Sequence, residues 1–231
     1  MSLPSIETPT YGVNLSGGLV KFRPYTVKEE KHLLMASQAE DPKEIFETTL
    51  ALCQGCILDD IKVTDLPLFD LEKLLIATRS KSVGEEVKTS FRCPHCQKFT
   101  EVNINIENIE TTQPEGLETT IMIDEKYGMK MRYPSVETTG ASLIVEDDDI
   151  VGVLLSCIES VFDSETVYPL SDSPEEERRE FIESLSVEHI RAITDKFLDK
   201  IPSNVVNINY TCPHCKEKVE RKLDNLLDFF I

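Results

Sequence analysis

The stretch Cys93-Pro94-His95-Cys96 decides the fold of this chain, because the same four residues return as Cys212-Pro213-His214-Cys215. An alternating, strand-like run that ends in an aromatic residue leads into each copy, at residues 87–91 and 206–210. A polar stretch that can turn back into another strand follows each copy. Each copy therefore predicts a turn between two strands, with two sulfur atoms directed at one point.

Two such turns together predict a four-cysteine metal site. Structural zinc takes four thiolate or imidazole ligands in a tetrahedron, and one turn supplies only two of them. Proline after the first cysteine fixes φ and lacks an N–H, which suits a turn whose other amides point toward sulfur. We predict one structural zinc ion per chain, bound by Cys93, Cys96, Cys212 and Cys215. Four cysteines leave no open position for the water that catalytic zinc requires.

The separation of the two turns along the chain is unusual, since 115 residues (97–211) lie between them. Continuous zinc ribbons hold their two cysteine pairs about 15–20 residues apart. A metal bound across this gap would close a very long loop. We expect it to join the middle of the chain to its C-terminal part, so that the intervening insertion is held as one rigid unit against the N-terminal helices.

The remaining histidines and cysteines offer alternative interpretations. His95 and His214 lie inside the turns and point away if the flanking cysteines bind the metal. A redox CxxC pair lacks the expected βαβ setting, and disulfides need an oxidising compartment. A third pair, Cys53 and Cys56, ends a predicted amphipathic helix, and we interpret it, like Cys157, as buried core. Seven cysteines cannot all pair, which favours a reducing compartment.

The charge of the chain argues against nucleic acid as a partner. Its 231 residues carry a formal net charge of −18, whereas phosphate binding depends on lysine and arginine. Five basic residues flank the turns, and we expect them to offset the charge of the thiolates: Lys98, Lys216, Lys218, Arg221 and Lys222. The acidic excess favours basic or neutral protein partners.

Membrane insertion and secretion are not expected either. No apolar run approaches the length that spans a bilayer. The first residues, 1–7, lack the basic start and apolar stretch of a signal peptide. The sequence therefore predicts synthesis in the cytoplasm.

Hydrophobic periodicity predicts an α+β protein. Helix caps at Thr26, Asp41 and Asp65 indicate three N-terminal helices, with Gly55 as a plausible stop for the second and a third that begins at Leu66-Pro67. Five segments follow from the pattern: an extended arm with one short strand (1–24), a helical region (25–84), a split four-cysteine zinc ribbon (85–108 plus 203–222), a long α+β insertion (109–202) and an apolar C-terminal helix (223–231).

The insertion is predicted to begin with a β-hairpin at residues 119–133. A helix follows within 143–162, and its acidic start, 146–149, suits the helix dipole better than a carboxylate metal or catalytic site. Ser173 is the expected cap of the next helix, with Pro174 at its first position. The last helix is predicted to run from 186 to 200, with His189 in a structural role.

The sequence contains no motif of a known catalytic site. It lacks a glycine-rich phosphate loop, an HExxH motif and any recognisable Ser/His/Asp or Cys/His constellation. Two of the four histidines lie inside the cysteine turns, so little acid–base apparatus remains. We therefore expect a protein that is not an enzyme.

The order of these elements resembles the baseplate hub and hub-assembly proteins of T4-type contractile-tailed bacteriophages. The resemblance rests on the helices at 25–38 and 44–56, on the R-x-x-S-x-G-E stretch at 79–85, and on the cysteine turns. It implies a structural or assembly component of the hub, without catalysis, that contacts other baseplate or tail proteins. It also implies a location in the host cytoplasm during assembly, or in the tail baseplate of the virion.

Two other functions compete with that expectation. A zinc-ribbon adaptor of a transcription or replication complex would need a basic face. A zinc-dependent hydrolase would need an open ligand position and a nearby base.

Overall fold

A computed structural model describes residues 7–38, 41–107, 109–139 and 150–223. The chain divides into two compact units. The first unit comprises residues 1–63, 69–112 and 203–231, and the second comprises 64–68 and 113–202. Among the described residues, no helix is both long and apolar enough to cross a membrane.

Three helices follow the N-terminal segment, as predicted: α1 (Val27–Gln38), α2 (Pro42–Cys56) and α3 (Leu68–Val83). Thr26 and Glu29 form the expected capping box, since the Thr26 amide donates to the Glu29 carboxylate over 2.7 Å and the Glu29 amide donates to the Thr26 hydroxyl over 3.4 Å. Asp41 caps α2 by accepting from the Lys43 amide over 2.9 Å.

Helix α2 ends at Cys56, one residue beyond Gly55 and at the boundary that the resemblance implies, and the Cys56 side chain is fully buried. One helix boundary differs from the predictions. Helix α3 begins at Leu68 instead of Leu66-Pro67, because Pro67 bridges to Ser135 and the Leu68 amide donates to the carbonyl of Pro134. Asp65 lies in a short 3₁₀ turn, Val63–Asp65, and not at the helix cap.

The N-terminal arm contains a β-hairpin where a single strand was predicted. Strand β1 (Tyr11–Leu15) pairs antiparallel with β2 (Gly18–Phe22) across a two-residue turn. Gly18 has a φ of 123°, a conformation that glycine adopts without steric cost. The Ser16 amide and hydroxyl donate to the buried carboxylate of Asp70 in α3, which fastens the tip of the hairpin to that helix.

The two cysteine turns connect two further hairpins of the first unit. Strand β3 (Glu86–Arg92) pairs with β4 (Phe99–Asn105), and β10 (Asn204–Thr211) pairs with β11 (Lys218–Leu223) and with the short β5 (Glu110–Thr111). One apolar cluster joins both hairpins to α3, through Ile76, Ile104 and Ile208 among others. Residues 224–231, for which an apolar helix was predicted, lie outside the described part of the chain.

The second unit has its own sheet and core. Strands β6 (Thr120–Met122), β7 (Gly128–Met131), β8 (Ile158–Phe162) and β9 (Val167–Pro169) form an antiparallel sheet in that order. The predicted hairpin is therefore present as β6 and β7. Among the described residues, the helices of this unit are α4 (Val136–Thr139), α5 (Ile150–Cys157), α6 (Glu175–Glu183) and α7 (Val187–Lys196). Its core contains residues of the sheet and of three helices, with Met129, Leu154, Ile158 and Phe197 fully buried.

The helix predicted within 143–162 is only partly correct. Helix α5 ends at Cys157, and the next five residues form β8, which pairs with both β7 and β9. Such an apolar run fits a buried helix or a buried strand, and sheet pairing decides between them. The acidic run 146–149 lies outside the described residues.

Helix caps in the second unit also differ from the predictions. Helix α6 begins at Glu175, with Pro174 and not Ser173 at its N-cap. Helix α7 begins after Ser186 as predicted, and the ring of His189 accepts from the Ser186 amide to complete a capping box. The helix ends at Lys196 instead of Lys200, and a short 3₁₀ turn, Leu198–Lys200, follows.

Candidate metal centre

The two cysteine turns have the same hydrogen-bond pattern. In the first, the Cys93 amide donates to the Lys98 carbonyl and the Gln97 amide donates to the Cys93 carbonyl, each over 2.9 Å. In the second, Cys212 makes the equivalent two bonds with Glu217 and Lys216, also over 2.9 Å. Equal backbone geometry follows from equal sequence, so each turn presents its two sulfurs in the same way.

Each turn contains one residue with a left-handed backbone conformation. Gln97 has a φ of 59° and Lys216 has a φ of 65°, and both directly follow the second cysteine of their turn. No other described non-glycine residue has a positive φ. This conformation is costly for residues with a side chain, so the rest of the turn must hold it in place.

The four predicted ligands meet at one point in the structure. Their sulfur atoms all lie within 4.8 Å of one another. The sulfur of Cys93 lies 3.8 Å from that of Cys215, and the sulfur of Cys96 lies 3.7 Å from that of Cys212. The close pairs therefore run between the two turns, which brings the two distant parts of the chain together.

These distances fit a tetrahedral metal site. Zinc–sulfur bonds of about 2.3 Å in a tetrahedron place neighbouring sulfurs about 3.8 Å apart. A disulfide would require about 2.05 Å, far shorter than either close pair. The spacing and the soft thiolate ligands are those that select zinc or a similar metal.

The protein environment shifts the pKa values of two of the four cysteines in opposite directions. The Cys215 amide, followed by the His214 amide, donates to the Cys212 sulfur, and these bonds lower the pKa of Cys212 to about 5. The Glu217 amide lowers the pKa of Cys215, but burial and hydrogen bonds with the other three sulfurs outweigh it and raise that pKa to about 12. Without a metal, some of the four clustered thiols therefore keep their protons. A bound metal would displace those protons.

Buried groups surround the sulfurs on the inner side of the cluster. Cys93 and Cys212 are fully buried, and Val219 and Tyr210 pack against them. The Thr100 hydroxyl of the first hairpin lies 3.7 Å from the Cys212 sulfur, which belongs to the second turn. This contact could not be predicted from the sequence, because threonine is common in an alternating strand.

The five basic residues predicted to flank the turns are all exposed. Arg221 lies over the ring of Phe91, with 4.6 Å between the guanidinium carbon and the ring centre, so this cation is held by the opposite hairpin. Arg92 lies 5.3 Å from the ring centre of Phe99, its paired residue within the first hairpin. These cations lie on the hairpins that carry the thiolates and can offset their negative charge.

His95 and His214 are both exposed and do not belong to the sulfur cluster. A ring nitrogen of His214 lies 3.2 Å from the carbonyl oxygen of Phe99, a contact that joins the second turn to the first hairpin. That neither histidine binds the metal stays a prediction.

The other three cysteines are buried away from the cluster, as predicted for core residues. Burial raises the pKa of Cys53 to about 12 and that of Cys56 to about 11. Burial also raises the pKa of Cys157. These side chains therefore remain protonated at neutral pH, which suits apolar packing.

Comparison with known proteins gives a family match over nearly the whole chain. Residues 8–231 match the family model described as T4 bacteriophage base plate protein. The chain is also 25% identical over 221 residues to the baseplate hub assembly protein gp26 of Enterobacteria phage T4, a match that covers 95% of this chain and 96% of that protein. None of the solved structures matches the chain significantly.

Proposed function

The chain belongs to the T4 bacteriophage base plate protein family, and from this premise we propose that it is a non-enzymatic structural or assembly component of a contractile-tail baseplate hub. The observation that carries the proposal is the end-to-end similarity to a hub assembly protein, since the match leaves little of either chain uncovered. In this role the chain acts through contacts with other baseplate or tail proteins. It works in the host cytoplasm during assembly or within the virion tail.

The four-cysteine cluster is proposed to hold one structural zinc ion per chain. Cys93, Cys96, Cys212 and Cys215 would supply all four ligands, so the bound metal would have no site for water or substrate. The ion would fasten the first hairpin to the second and complete a split zinc ribbon. Its contribution is folding energy, because the thiolates converge only in the folded chain.

Two features of the cluster speak against a zinc-dependent hydrolase. A catalytic zinc keeps one coordination position open, whereas four cysteines fill the tetrahedron. The Thr100 hydroxyl, 3.7 Å from the Cys212 sulfur, is a hydrogen-bond partner of that sulfur and too weak a base to activate water. The role proposed from the family match is that of a protein that binds and positions other proteins, and this role does not need a catalytic metal.

A zinc-ribbon adaptor for transcription or replication is a weaker proposal. The net charge of −18 opposes association with nucleic acid. Arg92 and Arg221, two cations near the turns, lie over aromatic rings of this chain. An adaptor that binds only proteins would still be distinguishable from a tail component, because the two would bind different proteins.

Co-purification tests the proposed function. The tagged chain is isolated from cells that produce the phage, treated with nuclease, and its bound proteins are identified by mass spectrometry. We expect baseplate hub or tail proteins in stoichiometric amounts. Recovery of polymerase or replication proteins instead, with hub proteins at background level, would overturn the proposal. A chain tagged in the same way but lacking residues 113–202 serves as the matched control for contacts made by the second unit.

A further inference from the structure

A groove of about 460 Å³ lies within the second unit, at one end of its apolar core. Val161 of β8 and Tyr168 of β9 stand opposite each other in the sheet, so their side chains share one face, and both line the groove. Val161 belongs to the core cluster, whereas Tyr168 is 49% exposed. The core face of the sheet therefore continues onto a strand whose aromatic side chain is only half covered.

The lining of this groove is largely apolar. Besides Val161 and the ring of Tyr168, its apolar lining includes Ile123, Leu170, Phe181 and Leu185. Phe181 belongs to α6, and Leu185 follows the end of that helix. A concave, mostly apolar surface with a few polar groups is the usual form of a binding site.

Two donors at the groove have no partner among the described residues. The Nε atom of Arg178 is buried without a hydrogen bond, and its guanidinium forms no ion pair there. His189 accepts from the Ser186 amide through Nδ1 over 3.2 Å, so the neutral ring carries its proton on Nε2, which is free to donate. An unpaired buried donor is unfavourable, and a carboxylate is the acceptor that suits a guanidinium best.

Two carboxylates also line the groove and limit the charge of an occupant. Asp124 accepts from the amides of Lys126 and Tyr127, over 2.7 and 2.6 Å, and so it is held within its own turn. Glu177 is exposed and has no ion-pair partner in the described segments. It precedes Arg178 in α6, and adjacent helix residues point about 100° apart, so these two side chains do not pair with each other. Together with the net charge of −18, the two acids oppose a segment that carries an excess of acid.

We propose that this groove binds a segment of a partner protein that presents an apolar, aromatic-containing anchor between one carboxylate and one ammonium group. The anchor packs against Phe181, Leu185 and the ring of Tyr168. The carboxylate accepts from Arg178, and the ammonium group lies at Glu177. One charge of each sign matches the two unpaired charges of α6 and leaves the segment neutral, so the net charge of the chain does not repel it. The inference rests on the proposed hub role only for the source of the partner.

Peptide titration of the purified full chain tests this charge pattern. The probe is a capped six-residue peptide with leucine and phenylalanine at its centre, flanked by aspartate and lysine, and it is prepared in both orders. Replacing its aspartate by asparagine should weaken binding about tenfold, and replacing its lysine by glutamine about threefold. Arg178→Gln should abolish the first difference, and Glu177→Gln should abolish the second. Arg191→Gln and Glu176→Gln, which alter exposed residues outside the groove, should preserve both differences.

A pair of variants in β9 tests the place of binding. Val167 precedes Tyr168, is 62% exposed and points to the opposite face of the sheet. Both side chains are exposed, so neither substitution removes a core residue. Tyr168→Ala should weaken binding of the tighter peptide at least about fivefold, whereas Val167→Ala should leave it unchanged.

Several outcomes would overturn the proposal. They are the absence of binding by either peptide at about 1 mM, persistence of the aspartate effect in Arg178→Gln, and equal effects of the two β9 variants. Self-association of the chain that Tyr168→Ala abolishes would also overturn it, because the groove would then take a second copy. Co-purification with tail proteins does not depend on these results, so a failure of this inference is distinguishable from a failure of the proposed function.

Discussion

At the scale of single residues, a few polar side chains determine how distant segments meet. Asn204 is fully buried, and its amide donates to the Phe69 carbonyl over 2.6 Å and to the Glu72 carboxylate over 2.8 Å. Its oxygen accepts from the Thr111 hydroxyl over 2.9 Å. Buried amides with satisfied bonds specify one arrangement, because losing a partner leaves a costly unpaired group. The sequence did not indicate this residue, since asparagine at the start of a strand is usually exposed.

Glu29 offers a prediction at the same scale. Its carboxylate accepts from the Arg23 guanidinium over 2.7 Å and from the Thr26 amide over 2.7 Å. The bond to Arg23, with the bonds from Thr26, lowers the pKa of Glu29 to about 2 from 4.5. The folded pKa lies below the unfolded one, so this stabilisation is complete above pH 4.5 and is lost as the pH falls toward 2.

Glu29→Gln should therefore lower the free energy of unfolding by about 1–2 kcal/mol at pH 7, a value reduced for the partial exposure of the pair. The difference from the unmodified chain should vanish near pH 2. Urea unfolding at several pH values measures this difference in the free energy of unfolding. Glu47→Gln is the control, because Glu47 is 65% exposed and lies 3.9 Å from Lys43. An effect of Glu29→Gln that does not change between pH 7 and pH 3 would contradict the assignment.

At the scale of elements, the two cysteine turns repeat one backbone geometry, and each contains one left-handed residue. Their bond patterns agree residue for residue, including the left-handed residue after the second cysteine. The sequence predicts the turns, their flanking strands and the three N-terminal helices from local patterns alone. It does not predict the left-handed positions, because glutamine and lysine give no turn signal there. It also misses β8, since an apolar run with β-branched residues fits a helix as well as a strand until its neighbours are known.

Glycine at the left-handed positions should stabilise the turns. Gln97→Gly and Lys216→Gly each remove a side chain that opposes a positive φ, and we expect each to raise the free energy of unfolding by about 1 kcal/mol. Denaturant unfolding of the metal-loaded protein measures the effect. Lys98→Gly is the matched control, because residue 98, which directly follows Gln97, does not have a positive φ, and glycine at residue 98 should be neutral or destabilising. Destabilisation by all three glycines would contradict the interpretation.

At the scale of the whole molecule, the chain leaves the first unit after Thr112 and returns to it at Ser203. These two residues are fastened to each other, since the Thr112 amide donates to the Ser203 carbonyl over 2.8 Å and the Ser203 amide donates to the Thr112 hydroxyl over 3.1 Å. The cysteine spacing predicted that both halves of the metal site would meet across a long insertion. The hairpin at Tyr11–Phe22 was not predicted, because its glycine turn lies in a polar, proline- and serine-containing stretch that resembles an extended arm.

Removal of the metal should affect the two units differently. The second unit has an apolar core of its own, with Met129, Leu154, Ile158 and Phe197 fully buried, and no part of the cysteine cluster. We expect a chelator to speed hydrogen exchange in β3, β4, β10 and β11 at least tenfold and to leave β7 and β8 protected. Exchange measured by mass spectrometry with and without chelator distinguishes the units. Equal loss of protection in both would show that the metal supports the entire chain, contrary to this expectation.

The metal itself gives the most direct test of the account. Metal analysis and X-ray absorption of the purified protein should show one zinc per chain with four sulfur neighbours at about 2.3 Å. Cys93→Ser and Cys212→Ser should each abolish zinc binding, whereas Cys53→Ala, which alters a buried cysteine outside the cluster, should retain it. A zinc with oxygen or nitrogen neighbours, zinc shared between two chains, or equal loss from all three variants would contradict a closed four-cysteine site.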